Sequence, residues 1–239
     1  MPNGLHLAAS GLRAQQALLD AVANDLANAS TTGYKKARVA FQELVTRDAA
    51  GASASGVRTL DAGRSWSQGA LLEGTGPLSL ALEGPGFFQV RRADGSLALT
   101  RDGSLRLDGR RQVVTSSGDR LEPPLTIPQE VVAADISVAR NGTVRAAGRE
   151  IGKVVVVDVP ATSGLRPLGG GLLQPTSASG APAPAAGTAV VQGYLESSNV
   201  DVASSMVAMV EAQRGFELAS RAIRTHDQLL DIANGIRRR

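Results

Sequence analysis

The sequence predicts an α+β fold: helices at the N- and C-termini that pair as a coiled coil, and a central all-β domain of short antiparallel strands. Two observations carry this reading. Apolar residues recur every seven positions at both ends of the 239-residue chain, and the middle is punctuated by Asp-Gly and Asn-Gly dipeptides between β-rich runs. A third observation limits the core. Aromatic residues make up only 3% of the chain, so packing falls mainly to Val, Leu, Ile and Ala.

The first helix is expected over about residues 4–31. Leu5, Leu12, Leu19 and Leu26 are seven apart, and Ala8, Gln15, Val22 and Ala29 follow each by three, which gives heptad a and d positions. Asn3 suits the N-cap and Gly33 the C-cap. A second line of small and polar residues, Ala14, Ala17, Ala21, Asn24 and Asn28, has the spacing for close approach by another helix. The following segment "YKKARVAFQELV" fits helix or strand equally, and "AAGASASG" (49–56) reads as a linker.

From about 78 to 195 the chain reads as strands and turns. Asp94-Gly95, Asp108-Gly109 and Asn141-Gly142 mark hairpins. "IGKVVVVDV" (151–159) is a continuous apolar run, expected as one strand buried on both faces. Pro123, Pro124 and Pro128 interrupt the pattern between strands, and "SASGAPAPAAGTA" (177–189) reads as a loop or linker.

The last helix is expected from about 202 to 235, with Asp201 as N-cap. Met209, Phe216, Ile223 and Leu230 are seven apart, with Ala212, Ala219, His226 and Ala233 at the d positions. A second line runs through Ala208, Glu211, Gly215, Leu218, Ala222, Thr225, Leu229 and Ile232. Gly215 costs roughly 1 kcal/mol against Ala inside a helix, which a contact that needs the missing side chain would offset. Each helix thus presents more apolar surface than one partner covers, which favours ends that order against neighbouring copies. Packing of both helices onto the chain's own β domain is the alternative.

Composition excludes several classes. With no cysteine there are no disulfides, thiolate metal sites or Cys nucleophiles. A net charge of +3 argues against nucleic acid, and the basic cluster Arg237 to Arg239 suits a solvated helix end. No apolar run of about 18 residues predicts a transmembrane segment. The N-terminus lacks the charged and apolar regions of a cleaved secretory signal. His6 and His226 both fall on the terminal helices, and no HExxH, GxSxG, CxxC or P-loop pattern occurs. "LGGGLLQPTS" lacks the Gly-Lys-Ser/Thr of a phosphate loop and reads as a turn. The expectation is no catalytic, cofactor-binding or metal site, and no cofactor. A hydrolase acting on cell wall and a soluble module docking one helical partner are the weaker readings.

Three stretches carry a family likeness. "LANASTTGYKKARVAFQELV" (26–45), "EGPGFFQV" (83–90) and "QGYLESSNVDVASSMVAMVEAQRGFELASRAIRTHDQLL" (192–230) resemble, in order, the N-terminal, central and C-terminal motifs of the flagellar basal-body rod and hook proteins. The resemblance implies a non-enzymatic axial protein of the flagellar basal body in the cell envelope. Such a protein is exported uncleaved through the flagellar type III apparatus and stacks helically into a hollow, torque-transmitting shaft. Its partners would be other copies of itself and the neighbouring rod and hook proteins. Residues 1–33 and 198–239 would form the coiled-coil inner tube, 34–77 an extended connection and 78–197 the β-rich outer domain. Asn24, Leu26, Asn28, Gly33 and Tyr34 match the N-terminal motif. Asn199, Val200, Met206, Met209, Glu211, Gln213, Arg214 and Phe216 match the C-terminal one, while Asp201 and Gly215 depart mildly. With the heptads, these nominate Leu5, Leu12, Leu19, Val22, Asn24, Leu26, Asn28, Met206, Met209, Gln213, Gly215, Phe216, Ile223 and Leu230 as packing residues. "LEPPLTIP" and "RTHDQLL" resemble the distal rod branch, "GKVVVVDV" is closer to the proximal branch, and a hook protein would carry a larger outer domain.

Overall fold

The computed structural model describes residues 3–47 and 53–237. It is α+β, with two long helices and an antiparallel β domain, and it divides into two compact units. Arg238, Arg239 and residues 49–52 of the expected linker lie outside the described residues, and the rest of that stretch, 53–56, is not a linker but the start of a strand.

The first unit contains helix α1 (Asn3–Ala27), strands β1 (Ala37–Arg47) and β2 (Ser53–Arg64), and helix α2 (Val202–Arg237). The ambiguous segment after α1 is therefore strand. β1 and β2 pair antiparallel from Ala37↔Arg64 to Arg47↔Ser53, with a bulge between Ala37 and Val39. α2 starts where expected, because the Ser204 N–H donates to Asp201 Oδ1 at 2.7 Å.

α1 ends six residues before Gly33. The chain turns through 28–33, where Thr31 N–H donates to the Asn28 carbonyl at 3.1 Å and Thr31 Oγ1 donates to Asn28 Oδ1 at 3.2 Å. Gly33 does adopt a positive φ of 67°, but not as the helix cap. A side chain there would put Cβ 2.5 Å from the Arg101 carbonyl carbon, so glycine permits close passage of two backbones.

The second unit comprises 28–36 and 65–199. Its largest sheet runs in the order Arg166–Gly169, Leu172–Gln174, Leu97–Thr100, Phe87–Arg91, Arg120–Leu121, Val113–Val114, Arg106–Leu107. A three-stranded meander follows (Ile136–Val138, Thr143–Ala146, Arg149–Lys153), and two ribbons pair Leu80–Glu83 with Ala189–Gln192 and Leu71–Glu73 with Tyr194–Glu196. All three hairpin dipeptides sit in turns between paired or sequential strands. At the second, however, the residue with positive φ is Arg111 (64°), not Gly109. The Arg111 side chain donates to the carbonyls of Pro128 (2.9 Å) and Val131 (2.5 Å), which ties this turn to the loop beyond it.

The apolar run 151–159 is not one strand. Its first part belongs to Arg149–Lys153 in the meander, and Val156–Asp158 pairs with Phe87–Arg91 in the large sheet. The chain changes sheets at Val154, whose N–H donates to the Gly142 carbonyl at 2.8 Å. The run serves two sheets in turn, with Val154, Val157 and Val159 buried and Lys153 exposed. The Pro/Ala/Gly segment 177–189 is docked: Ala183–Pro184 pairs with Val157 and Asp158, and Ser179 is buried. The core is aliphatic around Phe87 and Phe88, with Leu80, Leu82, Val90, Leu121, Ile127, Val144 and Val190 buried. Among the described residues, no helix is long and apolar enough to cross a membrane.

Candidate functional site

In the first unit, α1 is shared between two neighbours. It contacts α2 at Gln15: a Cβ on Gly215 would lie 2.9 Å from Gln15 Cδ. A face turned roughly a third of the circumference away meets the hairpin. There Ser10 Oγ accepts the Val57 N–H at 3.1 Å and Asp25 Oδ1 accepts the Ala37 N–H at 3.0 Å. Ala14, Ala17 and Ala21 lie between Ser10 and Asp25 on this face. The alanines of the small-residue line expected to receive another helix therefore run along the chain's own hairpin, while Asn24 of that line is exposed and Asn28 lies past the end of α1. The remaining face is polar, with Arg13, Gln16, Asp20 and Asn24 exposed and Gln16 Nε2 donating to Asp20 Oδ1 at 2.8 Å.

α2 differs. Ser205 and Ala212 are buried and Met209, Phe216, Ala219 and Ile223 half-buried, so the heptad seam is its covered side. Val202, Met206 and Val210 are exposed on one flank of the helix, and Val207 (59%) and Leu218 (65%) on the other. Apolar side chains thus reach water on both sides of a polar strip formed by Arg214, Glu217 and Arg221.

Of the other nominated residues, Val22 is buried, and Leu12, Leu19, Leu26, Asn28 and Gly215 are half-buried. Gln213 is exposed. The side chains of Leu5 and Leu230 fall outside what the structure describes, as do those of His6 and His226. Gly215→Ala should change stability by no more than about 1 kcal/mol, since the gain in helix propensity opposes displacement of a flexible amide. Gly215→Leu should cost about 1–3 kcal/mol by forcing the helices apart. Urea denaturation of the two variants checks this, and equal midpoints would remove the close contact.

The second unit holds a polar cluster that sequence reasoning missed. Glu196 lies at the end of the last strand, with its carboxylate fully buried between Lys35 (Nζ to Oε1, 2.5 Å) and Arg101 (Nη1 to Oε2, 3.0 Å). Its Oε1 also accepts the Gly69 N–H at 3.0 Å, and its backbone carbonyl accepts the Gly33 N–H at 2.8 Å. Lys35 Nζ donates to the Ser67 carbonyl at 2.8 Å. Burial holds the Lys35 pKa below its ordinary value; the Glu196 carboxylate opposes that shift and the Arg101 charge adds to it. Asn199 completes the network. Its Oδ1 accepts the Lys36 N–H at 2.7 Å, and its Nδ2 donates to the carbonyls of Ser65 and Ser67 at 2.8 and 3.0 Å. A lysine, an arginine and a glutamate separated by up to 161 positions carry no spacing signal.

Three family models match successive parts of the chain. They are described as "Flagella basal body rod protein" (residues 5–35), "Flagellar hook protein FlgE/F/G D1 domain" (81–146) and "Flagellar basal body rod FlgEFG protein C-terminal" (191–236). The flagellar basal-body rod protein FlgG of Buchnera aphidicola subsp. Schizaphis graminum is 37% identical over 252 aligned positions, covering 95% of this chain and 96% of the relative. FlgG of Borreliella burgdorferi is 34% identical over 264 positions, covering both chains completely. FlgF of Caulobacter vibrioides is 29% identical, covering 92% of each.

Proposed function

The chain belongs to the flagellar basal-body rod protein family, and on that premise we propose that it is a structural, non-enzymatic subunit of the rod, of the distal type. The observation that carries this is similarity along essentially the whole chain to relatives named FlgG, stronger than to the one named FlgF. The proximal type is the runner-up for the same reason.

In this reading copies stack helically into a hollow shaft of the basal body. Residues 1–33 and 198–239 pair as a coiled coil lining the inner tube, 34–77 connects, and 78–197 forms the outer wall. The nominated seam residues pack within and between subunits, and the exposed apolar flanks of α2 are the surface that sister copies cover. Adjacent rod and hook proteins cap the stack at its ends, and the export apparatus delivers the chain without cleavage. Torque passes because packed helices resist shear while the β domains hold one another outside.

Deleting residues 202–239 is expected to abolish rod assembly and swimming while the β unit stays folded. Circular dichroism of the purified chain and electron cryomicroscopy of isolated basal bodies check the two halves. A truncated strain that still builds complete rods, or a basal body in which this chain cannot be traced in the rod, would sink the proposal.

A further inference from the structure

We propose that the Lys35–Glu196–Arg101 cluster is a register lock: it selects one arrangement of the chain segments entering and leaving the β unit and does so at the expense of stability. This goes beyond the assembly reading and holds for the isolated chain.

The chain crosses the boundary of the β unit four times, at 28, 36/37, 64/65 and 199/200. The polar network pins the last three of these crossings to one another. Ser65 N–H donates to the Lys36 carbonyl at 2.8 Å, Lys36 N–H to the Asn199 side chain, and Gly33 N–H to the Glu196 carbonyl. Ser197 N–H donates to the Ala70 carbonyl at 2.8 Å. The three ionic side chains sit beneath these bonds, with 2%, 0% and 5% of Lys35, Glu196 and Arg101 exposed.

As a source of stability the cluster is poor. Two cations and the carboxylate they share are all held away from water, and each carries a desolvation cost. Arg101 Nη2 reaches the Gly84 carbonyl at 2.8 Å, yet Arg101 Nε makes no hydrogen bond among the described residues. Apolar side chains of similar volume would avoid both costs. As a source of geometry the cluster is strong. Each carboxylate oxygen has its own cation, and Lys35 and Gly69 converge on one of them, so a slip of one residue in any segment strands a buried charge. Apolar packing tolerates such slips, whereas directional charged bonds do not.

The protein carries its own reporter. Trp66, the single tryptophan, stands edge-on to Phe87 with ring centroids 5.2 Å apart, and the Arg101 guanidinium lies 5.7 Å from the centre of the same Phe87 ring. The test compares the full-length protein with Glu196→Gln and with the triple variant K35M/R101M/E196L. Glu196→Gln should lower the urea midpoint, because two buried cations then face a neutral amide. The triple variant should unfold at or above the wild-type midpoint. Its Gly33, Lys36 and Ser65 amides, whose hydrogen-bond acceptors are all retained, should nevertheless exchange with solvent about tenfold faster. Trp66 emission should shift to the red. A triple variant with a midpoint below wild type, including one that does not fold, makes the cluster a stabiliser and overturns the proposal. Wild-type exchange at those amides overturns it too, as does a Glu196→Gln midpoint equal to wild type.

Discussion

Gly103→Ala is expected to unfold the β unit. A Cβ at this position would lie 1.6 Å from the Leu80 carbonyl oxygen and 2.7 Å from its carbon, with Phe88 Cε2 at 3.3 Å. None of these atoms can move cheaply. Leu80 is buried in a strand, its N–H donates to the Gly103 carbonyl at 3.0 Å, and Phe88 is fully buried. One methyl group would therefore break the contact between two backbones and open the core around Leu80, Leu82 and Phe88. The cost should exceed about 4 kcal/mol, a large part of the 5–15 kcal/mol typical of a domain. Gly109→Ala is the control: nothing lies within 4 Å of its added Cβ, and stability should change by less than about 1 kcal/mol. Thermal melts of both variants, followed by circular dichroism, decide the matter. Equal melting of the two would refute the close approach at Gly103.

Asp102-Gly103 looks in sequence like the other Asp-Gly pairs, and the difference between them marks where sequence reading stops. Asp94-Gly95 and Asp108-Gly109 are local turns with nothing within 4 Å of an added Cβ; Asn141-Gly142 was legible as a turn as well, although a Cβ on Gly142 would also meet the Val154 carbonyl oxygen at 2.3 Å. Gly103, Gly33 and Gly69 are glycine because a distant stretch of backbone passes beside them, and local pattern does not record that. The heptads follow the same division. Met209, Phe216 and Ile223 lie on the covered side of α2 as their spacing implies, because a helix's periodicity is its own property. Which neighbour covers a face is not. Ala14, Ala17 and Ala21 suited a helix equally well, and a β-hairpin took the place because Ser10 and Asp25 bond to its backbone. The buried charges were least visible: Lys35 stands beside Lys36 in an ordinary basic pair, and only the fold puts one of them against Glu196.

Replacing Val207 and Leu218 together by aspartate is expected to leave the isolated chain as stable as wild type and to abolish swimming. Both side chains are more than half exposed in the single molecule, so a charge there loses little packing and stays hydrated. Unfolding free energy should move by less than about 0.5 kcal/mol per site. In the proposed stack of subunits the same positions would be buried, each apolar side chain contributing roughly 1.5–3 kcal/mol. A carboxylate placed there loses that contribution and faces desolvation without a cation to pair with. The penalty recurs at every subunit contact, so rods should not extend even though each subunit folds. Arg221→Ala, on the polar strip between the two flanks, should leave swimming intact. The check is a soft-agar motility assay beside a urea melt of the purified protein. A V207D/L218D strain that swims normally would mean that these flanks of α2 face solvent in the finished rod, and that sister copies meet elsewhere.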